Sequence, residues 1–169
     1  MDPITIRDAT LADLDGLLAA RYADSPAIHR DRIADAISDS LQYLVITQDG
    51  EILGFGLLVH TRPPHWPVEN PEPPYPQMID LFVTPSRRSE GLGTMMIRHM
   101  ERLASAAGYA RLCLAVDPID NPDAQRLYAR LGYVPIEPEP HRSTWRFVDS
   151  EGHTHQGSEW SLAMAKALA

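Results

Sequence analysis

Apolar and polar residues follow two periods along this chain. Ile4 and Ile6, separated by polar residues, predict a short first strand. From Thr10 the period lengthens: Leu11, Leu14, Leu17 and Leu18 form a helical stripe, with Thr10 as N-cap and Asp13 three residues later. A second helix is expected over 28–41, with Ile33, Ala36 and Ile37 inward. Residues 41–47 are rich in β-formers, Asp49-Gly50 is a turn pair and 52–60 is apolar again, so this stretch predicts a hairpin. Residues 61–77 hold Pro63, Pro64, Pro67, Pro71, Pro73, Pro74 and Pro76, which forbid a regular helix or an inner strand and leave a long, stiffened loop. Beyond it come a strand (78–83), a glycine-containing turn, a helix (92–107), a strand (111–116) and a short helix (122–131) stopped by Gly132. A run at 133–136 and a closing hairpin, 144–148 and 159–167 about Ser150-Glu151-Gly152, complete the order. Strands alternating with helices predict an α/β fold whose sheet has mixed strand directions.

Composition narrows this picture. At 169 residues and 44% apolar, the chain is expected to form one domain, 1–169, with the 61–77 loop and a C-terminal hairpin over 140–169. A formal net charge of −8 argues against nucleic acid as a partner, because phosphate binding needs a basic face, and it permits a cationic one. No apolar run approaches a membrane span and the N-terminus lacks a basic apolar leader, so no membrane partner is expected. Cys113 lies in the apolar run Arg111 to Val116 and reads as a core residue. With one cysteine no disulfide forms within the chain, which is consistent with a cytoplasmic location. His153 and His155 have no third ligand in sequence reach, so no metal site is expected.

The candidate chemistry sits in Val83-Thr84-Pro85-Ser86-Arg87-Arg88-Ser89-Glu90-Gly91-Leu92-Gly93-Thr94, between a strand and a helix. Gly91 and Gly93 allow a ligand close to the backbone. The free N–H groups and positive dipole of the helix's first turn seat a pyrophosphate, and Arg87 and Arg88 add charge. A P-loop is excluded for want of its lysine, and a dinucleotide fingerprint for want of its third glycine.

The spacing Arg88-x-x-Gly91-x-Gly93 resembles the coenzyme A signature of the GNAT acetyltransferases, and Leu81-Phe82-Val83-Thr84-Pro85 is similar to that family's fourth strand and following turn. Asn121-Pro122-Asp123-Ala124-Gln125-Arg126-Leu127-Tyr128-Ala129-Arg130-Leu131-Gly132-Tyr133 resembles a second family stretch. Ser89 and Glu90 depart from the pattern, where relatives often carry glycine and a basic or Gln residue. The resemblance implies about seven mainly antiparallel strands, flanking helices and a V-shaped split between the central strands near Leu81 to Val83. It implies acetyl-CoA (coenzyme A) as co-substrate, bound by Leu81, Phe82, Val83, Arg87, Arg88, Ser89, Glu90, Gly91, Leu92, Gly93, Thr94 and Asn121. It implies direct attack by a primary amine of a small molecule in a ternary complex, with a protein N-acetyltransferase or a non-catalytic coenzyme A-binding module as alternatives. Tyr128 matches the family's tyrosine acid. Asp80 is a candidate base, or else orders its strand or faces solvent; the acidic residue that relatives often place just before it is Ile79 here. His60 and His65 border the proline-rich loop, and with Trp66, Tyr75 and Glu69 would either form an acceptor wall suited to a cationic amine or belong to a stiff surface loop packed on itself. Homodimers are common among such proteins, and the C-terminal hairpin would support one.

Overall fold

The computed structural model describes residues 1–69 and 71–169; Asn70, within the proline-rich loop, lies outside them. The strands are β1 (Thr5–Asp8), β2 (Leu41–Gln48), β3 (Glu51–Val59), β4 (Gln77–Val83), β5 (Arg111–Val116), β6 (Val134–Pro135), β7 (His141–Val148) and β8 (Thr154–Ala167). The helices are α1 (Leu14–Ala20), α2 (Pro26–Asp35), α3 (Leu92–Ala106) and α4 (Pro122–Arg130). The sheet runs β1-β2-β3-β4-β5-β8-β6, with β7 added on β8. Among the described residues β4–β5 pair in parallel and the other pairs are antiparallel, as the α/β mixed sheet predicted.

Alternation along β2 sends Tyr43 and Val45 to one face and Leu44 and Ile46 to the other, and both faces are covered. That is why its sequence reads as a continuous apolar run. Asp49 (φ 52°) and Gly50 (φ 79°) make the tight turn into β3, both in the left-handed region that a two-residue hairpin turn requires. On one face α3 lays Leu92, Met96, Ile97, Met100 and Ala104 against the sheet, all buried. At roughly 1.5–3 kcal/mol for each fully buried large apolar side chain, this stripe fixes where the helix starts. On the other face α1 and α2 pack through Leu17 and Ile33.

Two expectations change. Helix α2 ends at Asp35 rather than running to residue 41, so Ile37, expected inward, is 86% exposed. Strand β8 is longer than the 159–167 run, and it serves three partners, β6 lying beside Met164 and Ala165. Its 154–161 half pairs with β7, and its 162–167 half pairs with β5. The β7–β8 tip reaches back to α2: the Arg30 guanidinium meets Glu151 at 2.5 Å, and the Ser150 amide donates to Asp31 at 3.0 Å.

Candidate active site

The site begins where β4 leaves β5. Their parallel ladder consists of Gln77 opposite Cys113 and Met78 opposite Leu114, and among the described residues no pairing continues beyond. On the other side β4 stays on β3, but with a bulge. Ile79 faces Leu57 and Phe82 faces Phe55, so Asp80 and Leu81 together oppose Gly56. Asp80 takes φ 51°, a conformation that Asp tolerates better than most side chains. A bulge bends its strand and increases local twist, which swings Leu81, Phe82 and Val83 away from β5. The facing strand is closely approached there: a Cβ at Gly56 would lie 2.8 Å from Met100 Cε, a flexible side-chain end that would have to shift, and 3.4 Å from Leu81 Cδ1. The V-shaped split expected at 81–83 therefore opens one bulge earlier, immediately after Met78.

The phosphate seat follows. Ser89 (φ 65°) and Gly91 (φ 83°) are both left-handed, and Gly91 is the N-cap of α3. A Cβ at Gly91 would meet nothing within 4 Å, so the space beside this backbone is open to a ligand. The left-handed φ at Ser89 is one that glycine adopts without strain, in keeping with the glycine that the family resemblance implies there. Arg88 Nε donates to the Val83 carbonyl at 2.9 Å and its guanidinium lies 5.5 Å from the Phe82 ring centroid, an anchoring that leaves its two terminal nitrogens for an anion. Arg87 is engaged elsewhere. It holds Glu90 at 2.9 and 3.1 Å and Gln48 at 3.0 Å, so the carboxylate beside the seat is neutralised locally. These residues fit a diphosphate carrier.

Across the split, α4 is capped by Asn121, whose side chain accepts from the Ala124 amide at 3.4 Å. It presents Tyr128 to a cleft of about 210 Å³ lined by Asp80, Leu81, Ala115, Val116, Asp117, Asn121, Tyr128, Glu159, Trp160 and Ser161. Burial raises the Tyr128 phenol above its ordinary range, so it is protonated at neutral pH and enters as a donor. Asp80 and Tyr128, far apart in sequence, thus share one cleft.

The acetyltransferase (GNAT) family matches residues 11–133. The chain belongs to the GNAT acetyltransferase family. A curated relative, the mycothiol acetyltransferase of Nocardia farcinica (strain IFM 10152), is 30% identical over 141 residues; the match covers 78% of this chain and 42% of that protein, so the chain spans less than half of it. Among solved structures, the ribosomal-protein-S18-alanine N-acetyltransferase of Escherichia coli superposes with TM-score 0.66 at 18% identity, covering 99% of this chain and 95% of that one. An N-acetyltransferase of Thermoplasma acidophilum, solved in complex with coenzyme A, gives 0.67 at 16% identity, covering 98% and 99%. These likenesses establish the fold.

Within this GNAT fold Asp80 is tied down. Arg21 grips both its oxygens (2.9 and 2.6 Å) and Arg32 adds a third contact at 2.8 Å. Arg21 also holds Asp24 at 2.8 and 2.9 Å and stacks its guanidinium 4.8 and 5.0 Å from the Phe55 and Phe82 ring centroids. Burial alone would raise the Asp80 carboxyl, but the Arg21 hydrogen bonds and the Arg32 and Arg21 charges prevail and hold it at about 2. A carboxylate this acidic accepts a proton poorly near neutral pH. The sequence reading missed both arginines, because nothing local links positions 21 and 32 to position 80. The side chains expected to form an acceptor wall are also engaged elsewhere. Trp66 packs toward α2 and donates to Asp35 at 2.9 Å, and His65 lies 3.0 Å from the same carboxylate. His60 stacks on Tyr109 at 5.6 Å and lines a different concavity, of about 710 Å³, which holds none of the predicted catalytic or coenzyme-binding residues.

Proposed function

We propose that this GNAT domain, residues 1–169, catalyses acetyl-CoA-dependent N-acetylation of a primary amine on a small molecule, by direct attack in a ternary complex. The observation that carries this reading is the juxtaposition of three parts: the unpaired edge of β4 beyond Met78, the open turn at Gly91 and Gly93 entering α3, and the protonated Tyr128 on the opposite wall. Coenzyme A would lie along Leu81, Phe82 and Val83, with its diphosphate at Arg88, Ser89, Gly91, Leu92, Gly93 and Thr94 and with Asn121 on the opposite wall. Backbone N–H groups on the free strand edge would stabilise the thioester oxygen as it becomes negative. Tyr128 would protonate the departing thiolate.

A small acceptor is favoured by the size of the cleft, about 210 Å³, and by the anchoring of the two segments that flank the fold beside it. The proline-rich loop is pinned to α2 through Trp66, and the β7–β8 tip is pinned to α2 through Arg30 and Ser150. Asp117 and Glu159 line the cleft with no arginine or lysine bonded to either among the described residues, and this acidity suits an acceptor arriving as an ammonium. A cytoplasmic location, and a homodimer through the C-terminal hairpin, whose β7 has β8 as its partner among the described residues, complete the reading. The experiment is thiol release from acetyl-CoA across polyamines, amino acids, aminoglycosides and alanine-terminated peptides, with coenzyme A binding measured by calorimetry. Turnover of a small amine is expected. Turnover confined to peptides would favour a protein N-acetyltransferase, and tight binding without any turnover would favour a non-catalytic module.

A further inference from the structure

The proposed reaction needs a group that takes a proton from the arriving ammonium, and the cleft offers four titratable side chains: Asp80, Asp117, Tyr128 and Glu159. Three are committed. Asp80 is clamped by two arginines. Asp117 Oδ1 accepts from the amides of Ile119 and Asp120, both at 2.9 Å, and these bonds hold it below the carboxylate range. Tyr128 is protonated and serves as a donor. Ala115, which lines the same cleft from β5, has no functional group to offer.

Glu159 differs. It sits on β8 two residues before the strand changes partner from β7 to β5, at the mouth of the gap. It is exposed at the cleft mouth, and among the described residues no hydrogen bond or ion pair accounts for its carboxylate; partial desolvation, then the like charges of Asp117 and Glu69, push its proton affinity up. The groups around it come from every wall: Asp117 after β5, Asp80 on β4, Tyr128 on α4 and Glu69 on the proline-rich loop. On its own hairpin face stand Ser143 and His141, the latter bonded to Glu137 at 3.1 Å. Arg142 is directed to the other face, 5.5 Å from the Trp160 ring centroid.

We propose that Glu159 is the proton acceptor for the amine in the reaction above, a catalytic residue placed by the C-terminal hairpin rather than by β4. The inference rests on the N-acetyltransferase reading. The balance is complete with the residues present. The acceptor enters as R–NH₃⁺ and gives one proton to Glu159, which releases it to solvent. The neutral nitrogen attacks the thioester carbon, a C–N bond forms and the C–S bond breaks. Tyr128 protonates the thiolate and is itself restored by the second proton leaving nitrogen. The sum is R–NH₃⁺ and acetyl-CoA giving R–NH–acetyl, coenzyme A thiol and one proton.

Two readouts test this. The first needs no turnover: carbon-13 NMR of the Glu159 carboxyl in the full chain saturated with coenzyme A. A midpoint above the ordinary glutamate value of about 4.3 is expected; one at or below it overturns the assignment. The second compares pH profiles, using whichever amine among spermidine, an aminoglycoside and an alanine-terminated peptide the wild type acetylates fastest. Glu159→Gln is expected to lose about 10²- to 10⁴-fold in kcat/KM, together with its acid limb, while coenzyme A affinity and Tm hold. Glu159→Asp should keep the limb at a reduced rate. A Glu159→Gln enzyme with the wild-type limb, or with a change confined to KM, sinks the proposal. A wild type that acetylates none of these amines counts against the N-acetyltransferase reading, and the NMR midpoint still decides Glu159.

Discussion

Replacing Asp80 with Asn separates a positioning role from a catalytic one. Asn has the same shape and tolerates the left-handed backbone at position 80, so the bulge itself is unstrained by the change. What is lost is one negative charge facing two guanidinium groups. Removing one partner of a fully buried pair costs about 3–5 kcal/mol. Here the side chains of Arg21, Arg32 and Asp80 are 26%, 18% and 26% exposed, so solvent screens part of that. The carboxyl's acidity gives an independent measure. Its fall from 3.8 to about 2 corresponds to on the order of 2 kcal/mol, at about 1.4 kcal/mol for each tenfold change. For a chain of this size that is a Tm loss of about 4–8 °C. The sign with pH follows from the folded carboxyl being more acidic than the unfolded one. The stabilisation is complete above pH 4 and disappears as pH falls toward 2, so wild type and Asp80→Asn should converge in Tm at the acid end. Catalysis supplies the second half of the test. A positioning role predicts a lower kcat with the acid limb of kcat/KM unmoved. A variant with unaltered Tm and no acid limb would refute the clamp and restore Asp80 as the base.

Four further substitutions test the other walls. Arg88→Ala should weaken coenzyme A binding by about 10- to 100-fold in calorimetry, the worth of a charge-assisted contact, whereas Arg87→Ala, whose guanidinium is occupied by Glu90 and Gln48, should change it less than about threefold. Tyr128→Phe keeps the ring packed near Tyr133 and removes only the hydroxyl that donates the proton; kcat should drop by about 10²-fold or more with the KM for acetyl-CoA unchanged in steady-state assays. Gly56→Ala forces a Cβ to 2.8 Å from Met100 Cε and should cost about 1–3 kcal/mol by chemical denaturation; because Met100 is flexible, the low end of that range is expected, with a larger effect on kcat through the displaced Leu81.

The readable and unreadable parts of this molecule divide by the range of the interactions that set them. Asn121, Pro122 and Gly132 punctuate α4 through contacts within one turn, and the apolar runs of β2 and β3 declare burial on both faces, so these elements are visible in the order of residues. Ile37 was misread because the Ile33 period continues past Asp35 while the helix does not. The first residues of β8, 154–158, were missed because their alternation is polar on both faces and Gly157 leaves room for the Trp145 ring, a cross-strand fit with no signature in one strand alone. The Arg21–Asp80–Arg32 clamp spans 59 and 48 positions and leaves no local trace. These long-range facts also connect. Opening β4 from β5 needs a bulge, the bulge puts a side chain in a left-handed conformation, and here that residue is an Asp held by two arginines. Holding the split open therefore consumes the carboxylate that proximity to the cleft would nominate as base. A reaction that must still move a proton has to draw its acceptor from another wall, and the cleft wall with an uncommitted carboxylate is the hairpin strand that approaches the split from its far side.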